Sequence, residues 1–142
     1  MKKEVEELIK YRIKRSKETL KDAKILFEEK RLFSTVNRVY YAVFYIVNAL
    51  LLTKELSSSK HSGVLSIFNR EFIKKGLLDK ELGKFYTKMF GFRQKADYKD
   101  MVKFKKEDVG GWLKSAEKFI SEIEKTIKEL KSSKRKAKRR NI

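Results

Sequence analysis

Few residues in this chain have the chemistry to do more than fold, and they gather in three short stretches. The first is Phe92-Arg93-Gln94-Lys95-Ala96-Asp97-Tyr98. Arg93 and Asp97 stand four apart, so they share one face of a helix. That face continues an apolar stripe, and a charge turned toward a core needs a partner. Two readings are open. One is a structural ion pair near a helix end. The other is an arginine whose bidentate fork takes a phosphodiester, positioned by Asp97 and Tyr98, with Lys95 as a second cation.

The second stretch is Ser59-Lys60-His61-Ser62-Gly63. It precedes a helical segment, where free backbone N–H groups favour anions. A serine of this stretch and His61 could bind a phosphate there; the alternative is a simple helix cap beside a surface histidine. The third is Asn37-Arg38-Val39-Tyr40-Tyr41-Ala42. Asn37 and Arg38, next to the paired tyrosines Tyr40 and Tyr41, could line a pocket; the alternative is a solvent-facing Arg38 with tyrosines packed in the core.

Much other chemistry is excluded by composition. The chain has no cysteine, so disulfides, thiolate metal sites and cysteine nucleophiles are ruled out. His61 is the single histidine, so a two-histidine mechanism would need a second copy of the chain. No spacing of His61 with carboxylates suggests a metal cage, and no glycine-rich phosphate loop is present. Neither a metal nor a cofactor is expected.

The elements that carry these residues are helical. In 142 residues there is no proline, the usual helix breaker. Apolar positions recurring at steps of three and four predict helices over about 3–29, 33–54, 62–75, 79–96 and 106–130. Ser34 is the expected N-cap of the second, Gly76 the C-terminal cap of the third and Asp79 the N-cap of the fourth. The second segment, containing VYYAVFYIVNALLL, is apolar on nearly every side and belongs at the centre of a bundle. Its near-apolar run of about 14 residues is shorter than the roughly 20 a membrane span needs. With no signal peptide in the charged first stretch, a cytoplasmic protein without a membrane is expected.

The formal charge is +18, which draws polyanions. Residues 131–142 carry seven basic residues, no acid and little apolar surface. They read as a disordered basic tail, either binding nucleic acid or only keeping the chain soluble, after a domain over 1–130.

Taken together, the stretches 37–52, 60–76 and 92–98 resemble the HEPN family of small all-helical prokaryotic proteins, in the branch associated with nucleotidyltransferases. The order and spacing cover about Leu8 to Leu130. The resemblance implies an all-α, antiparallel up-and-down bundle of about five helices, forming a homodimer. Many HEPN members are metal-independent ribonucleases, often toxins restrained by a partner nucleotidyltransferase. Their motif is an arginine followed after four to six residues by a histidine, two copies meeting in a dimer cleft. Arg93 matches the arginine, but Tyr98, Lys99 and Asp100 stand where the histidine should fall. A tyrosine with a pKa near 10 is a poor base compared with an imidazole.

The expected function is therefore RNA or nucleotide binding, with a nucleotidyltransferase partner, in a toxin–antitoxin-like pair. Asn37, Arg38, Tyr41, Lys60, Arg93 and Lys95 form the binding set. The first alternative is cleavage, with Arg93, Asp97 and either His61 or Tyr98 as catalytic residues. The second is a non-catalytic interaction scaffold. Tyr98 is also a candidate for nucleotidyl transfer from the partner.

Overall fold

The computed structural model describes residues 2–98 and 103–140, except for the side chains of residues 96–98 and 138. Five α-helices are present: α1 (Lys3–Glu28), α2 (Leu32–Leu52), α3 (His61–Phe68), α4 (Lys80–Tyr98) and α5 (Lys106–Arg140). A π-helical turn, Asn69–Ile73, continues α3, and no strand occurs among the described residues.

The four long helices run up and down in sequence. Lys24–Glu117 and Lys17–Glu124 ion pairs, both 2.8 Å, set α1 antiparallel to α5. Phe92 against Trp112 and Phe85 against Phe119 set α4 antiparallel to α5. Phe33 near Phe104, and Lys134 reaching the Thr53 carbonyl, set α2 parallel to α5. The short α3 and its π turn fill the connection from α2 to α4.

The all-round apolar sequence of α2 explains its central place. Val39, Tyr40, Ala42, Val43, Ile46, Val47, Ala49, Leu50 and Leu51 are fully buried, and α2 packs on all the other helices. At 21 residues, α2 is long and apolar enough, by length and composition, to cross a membrane. Of its most apolar 18-residue window, 61% is buried inside the bundle, as in a core helix. The Ser16 hydroxyl donates to the Ala42 carbonyl at 2.6 Å and pins α1 to this centre. Gly110 lets α5 approach Phe27, which lies 3.2 Å from where a β-carbon would stand.

Helix ends close in one recurrent way. Arg31 N–H bonds the Leu26 carbonyl and Lys30 N–H that of Phe27, with Lys30 left-handed at φ 61°. Leu56 and Glu55 (φ 58°) repeat the pattern after α2, and Leu77 and Gly76 (φ 76°) after the π turn. Each is a Schellman closure, and only the last uses the glycine that such a position favours. The first closure corrects the Ser34 expectation. It turns the chain so tightly that α2 begins at Leu32, and Thr35, not Ser34, bonds the Arg31 carbonyl. Asp79 does cap α4, accepting from Glu81 N–H at 2.9 Å.

The tail expectation is also corrected. Helix α5 continues through Arg140, about 10 residues beyond Leu130. Lysine, arginine and alanine are good helix formers, and no glycine or proline interrupts them. Lys134 on the Thr53 carbonyl and Arg135 at 4.0 Å from Glu6 dock this extension on the bundle end.

Candidate functional site

The residues of interest converge on Tyr40, at the middle of the bundle's most buried helix. Its ring is fully buried, while the hydroxyl points to the junction of α2, α3 and α4. A tyrosine hydroxyl in such surroundings needs a partner, and it lies 2.8 Å from Nδ1 of His61. His61 is the first residue of α3. Its ring stacks on Phe44 with centroids 4.2 Å apart and planes 4° from parallel. Arg93 arrives from α4. Its guanidinium carbon lies 5.2 Å from the centre of the Tyr40 ring and 5.5 Å from that of Tyr41.

Burial pushes the Tyr40 hydroxyl far above the ordinary tyrosine pKa. The Arg93 guanidinium, hydrogen-bonded to it, pulls the other way without winning. Tyr40 is thus a neutral phenol at ordinary pH. An arginine only donates, so the Tyr40 oxygen accepts from Arg93 and keeps its own proton to give away. The Tyr40–His61 bond runs from the hydroxyl to Nδ1 when the imidazole proton is on Nε2, and from Nδ1–H to the hydroxyl oxygen otherwise.

The third sequence stretch borders this centre. Asn37 Oδ1 accepts from Arg38 Nε at 3.2 Å and Nη2 at 2.8 Å. That fork holds the Arg38 guanidinium 5.0 Å from the Tyr41 ring centre. Arg38 is therefore neither wholly solvent-facing nor core. Arg93, Arg38 and Tyr41 are all half-buried, so the cluster opens partly to the surface.

The structure thus brings together Arg93, His61, Tyr41, Arg38 and Asn37. Lys95 is exposed and two residues from Arg93, a spacing that turns it to the far side of α4. Lys60 is exposed at the α3 N-terminus, its backbone N–H bonded to Ser58 Oγ at 3.2 Å. Asp97 and Tyr98 fall in the last turn of α4, but their side chains lie outside the described residues, as do Lys99 and Asp100 entirely. Sequence reasoning left Tyr40 out of the binding set, although it noted the tyrosine pair, and missed Phe44. A hydroxyl in the middle of an apolar helix, four residues from a second aromatic, was the available signal. Among the described residues no group of three or more histidines and carboxylates gathers as a metal ion would require.

An up-and-down helical bundle presenting an arginine of its fourth helix to a histidine and paired tyrosines defines an all-helical class with a polar site at its centre. Residues 9–127 match the HEPN domain, and the chain belongs to that family. A UPF0332 protein of Thermotoga maritima is 55% identical over 128 residues, covering 90% of this chain and 97% of the relative. "Putative toxin MJ0605" of Methanocaldococcus jannaschii is 39% identical, covering 90% and 95%. "Putative toxin MJ0142" of the same organism is 38% identical, covering 89% and 83%. The basic end of α5 lies beyond the family match.

Proposed function

We propose that this chain is a toxin-type HEPN protein that binds RNA through a phosphodiester held at Arg93. The observation that carries this is the meeting of Arg93 and His61 on one buried tyrosine. A fixed guanidinium offers a phosphate two parallel charge-assisted hydrogen bonds, and the net charge of +18 draws the polyanion in. The protein acts in the cytoplasm as a homodimer with a nucleotidyltransferase partner, as the family resemblance implies. The relatives named as toxins support the toxin reading. The test is RNA affinity of Arg93→Ala at physiological salt, expected to fall about 10- to 100-fold; equal affinity in a folded variant would refute it.

A second reading, metal-independent cleavage, is favoured by the same shared contact on Tyr40. It places the one imidazole of the chain beside the phosphate-binding arginine although the motif position lacks a histidine. In that reaction the RNA 2′-oxygen attacks phosphorus as its proton passes to a base. The bond from phosphorus to the 5′-oxygen breaks, and that oxygen takes a proton from an acid. A 2′,3′-cyclic phosphate and a 5′-hydroxyl result. A single imidazole cannot be base and acid at once, so His61 of each protomer would take one role. Arg93 would stabilise the charge gathering on the phosphoryl oxygens.

A further inference from the structure

A row of half-buried aromatic rings leads away from the Arg93 site along α2, and each is matched with a guanidinium. Tyr41 carries Arg38 at 5.0 Å and Arg93 at 5.5 Å. Tyr45 lies 6.0 Å further on, ring centre to ring centre, and carries Arg15 of α1 at 5.2 Å. One helical turn before Arg15 stands Tyr11, 58% exposed. Positions 38, 41 and 45 share one stripe of α2 at steps of three and four, while Arg15 and Tyr11 flank it from α1.

We infer that this row, Tyr11, Arg15, Tyr45, Tyr41 and Arg38, is a stacking platform for the unpaired bases of single-stranded RNA next to the phosphate held at Arg93. The inference rests on the RNA reading above and names its substrate class. Every base has a π-face that stacks on an aromatic ring or on a guanidinium plane. A guanidinium lying over a tyrosine keeps its outer face available while its charge favours the adjoining backbone. Interleaved arginine and tyrosine, with no hydrogen-bonding code for any base, suits a single strand of mixed sequence. Duplex RNA, whose bases are already stacked on one another, gains nothing from such a surface.

Charge argues against the competing occupant, a second copy of this chain. The proposed dimer already brings the Arg93 and His61 of both copies together; extending that two-fold interface over the row would add Arg15 and Arg38 of each copy to the same like charge. The acid that reaches Arg15 is Glu18, which lies 3.9 Å from Lys14.

The experiment measures binding of a single-stranded oligonucleotide of about ten residues, the matching duplex and a mononucleotide, to the full chain. Tyr45→Ala, Tyr45→Phe and Arg93→Ala are compared with the wild type, with mass in solution recorded for each. The expected result is a tenfold or greater loss of single-strand affinity in Tyr45→Ala, about one base's stacking. Tyr45→Phe keeps the affinity, and mononucleotide binding is unchanged in both. Unchanged single-strand affinity in Tyr45→Ala, or a duplex bound as tightly as the single strand, overturns the inference. So does a fall in mass confined to Tyr45→Ala, which would make the row an interface between copies. In each case a large loss in Arg93→Ala leaves the RNA reading standing. No binding of any RNA by the wild type ends both.

Discussion

The Tyr40 hydroxyl lies 2.8 Å from Nδ1 of His61, joining the most buried helix of the bundle to the first residue of the next. With Arg93 on the same hydroxyl, an order of donors running from Arg93 to Tyr40 to His61 would leave the imidazole proton on Nε2. Nitrogen-15 NMR reads this directly, because the chain has only one histidine. The expected spectrum has an unprotonated Nδ1, and Tyr40→Phe converts it to a mixture of tautomers. A wild-type Nδ1–H tautomer would reverse the donor order.

Tyr86 sits below this site, fully buried, its ring centre 6.4 Å from that of Tyr40. Its hydroxyl has no hydrogen-bond partner among the described residues. A buried unpaired hydroxyl costs about 1–3 kcal/mol. Tyr86→Phe is therefore expected to leave stability unchanged or raise it by about 1 kcal/mol in urea unfolding. A loss of more than about 1 kcal/mol would mean the hydroxyl is bonded in solution.

Burial raises the pKa of both Tyr40 and Tyr86; Tyr41 raises that of Tyr40 further, and Tyr40 that of Tyr86. In the unfolded chain a tyrosine loses its proton near pH 10, while in the fold these two keep theirs. The native state then binds more protons, so stability is complete below about pH 10 and falls as pH rises beyond it. Each tyrosine contributes at most about 1.4 kcal/mol per pH unit to that fall. Denaturant unfolding between pH 9 and 11 (a range of about two units around the tyrosine value) is expected to show a shallower loss in Tyr86→Phe than in the wild type. Equal slopes would contradict it.

The basic end of α5 is fixed at the far end of α2 from Arg93. Tyr40 and Thr53 are separated by about 20 Å of helix at 1.5 Å per residue. A strand held at Arg93 reaches the extension only if it is several nucleotides long. Replacing Lys136, Arg139 and Arg140 with alanine keeps helix propensity and removes three charges. The slope of log affinity against log salt for a long single strand is expected to weaken by about two, with mononucleotide binding unaffected. An unchanged slope would make the extension a solubilising end.

How much of this was legible in the sequence differs from element to element. Helical periodicity placed α1, α2 and α4 within a residue or two because their apolar stripes end at clear breaks, as at Asp79. The cap of α2 was misplaced because Ser34 looks like one. What ends α1 there is a left-handed Lys30, and a lysine gives no sign of that conformation. The tail was misjudged because composition reports how much apolar surface a segment can bury, whereas α5 simply propagates a helix already nucleated. Arg93 and His61 were each legible as reactive types, 32 positions apart. Their meeting was not, because it depends on the packing of α3 and α4 against Tyr40, and amphipathic stripes do not fix which helices touch.

The most direct test of the central claim is a cleavage and binding assay with EDTA present, using labelled RNA and Arg93→Ala, His61→Ala and wild-type protein. The account predicts RNA binding by the wild type that falls about 10- to 100-fold in folded Arg93→Ala, and any cleavage lost in both variants. Binding and cleavage indifferent to Arg93 would contradict it.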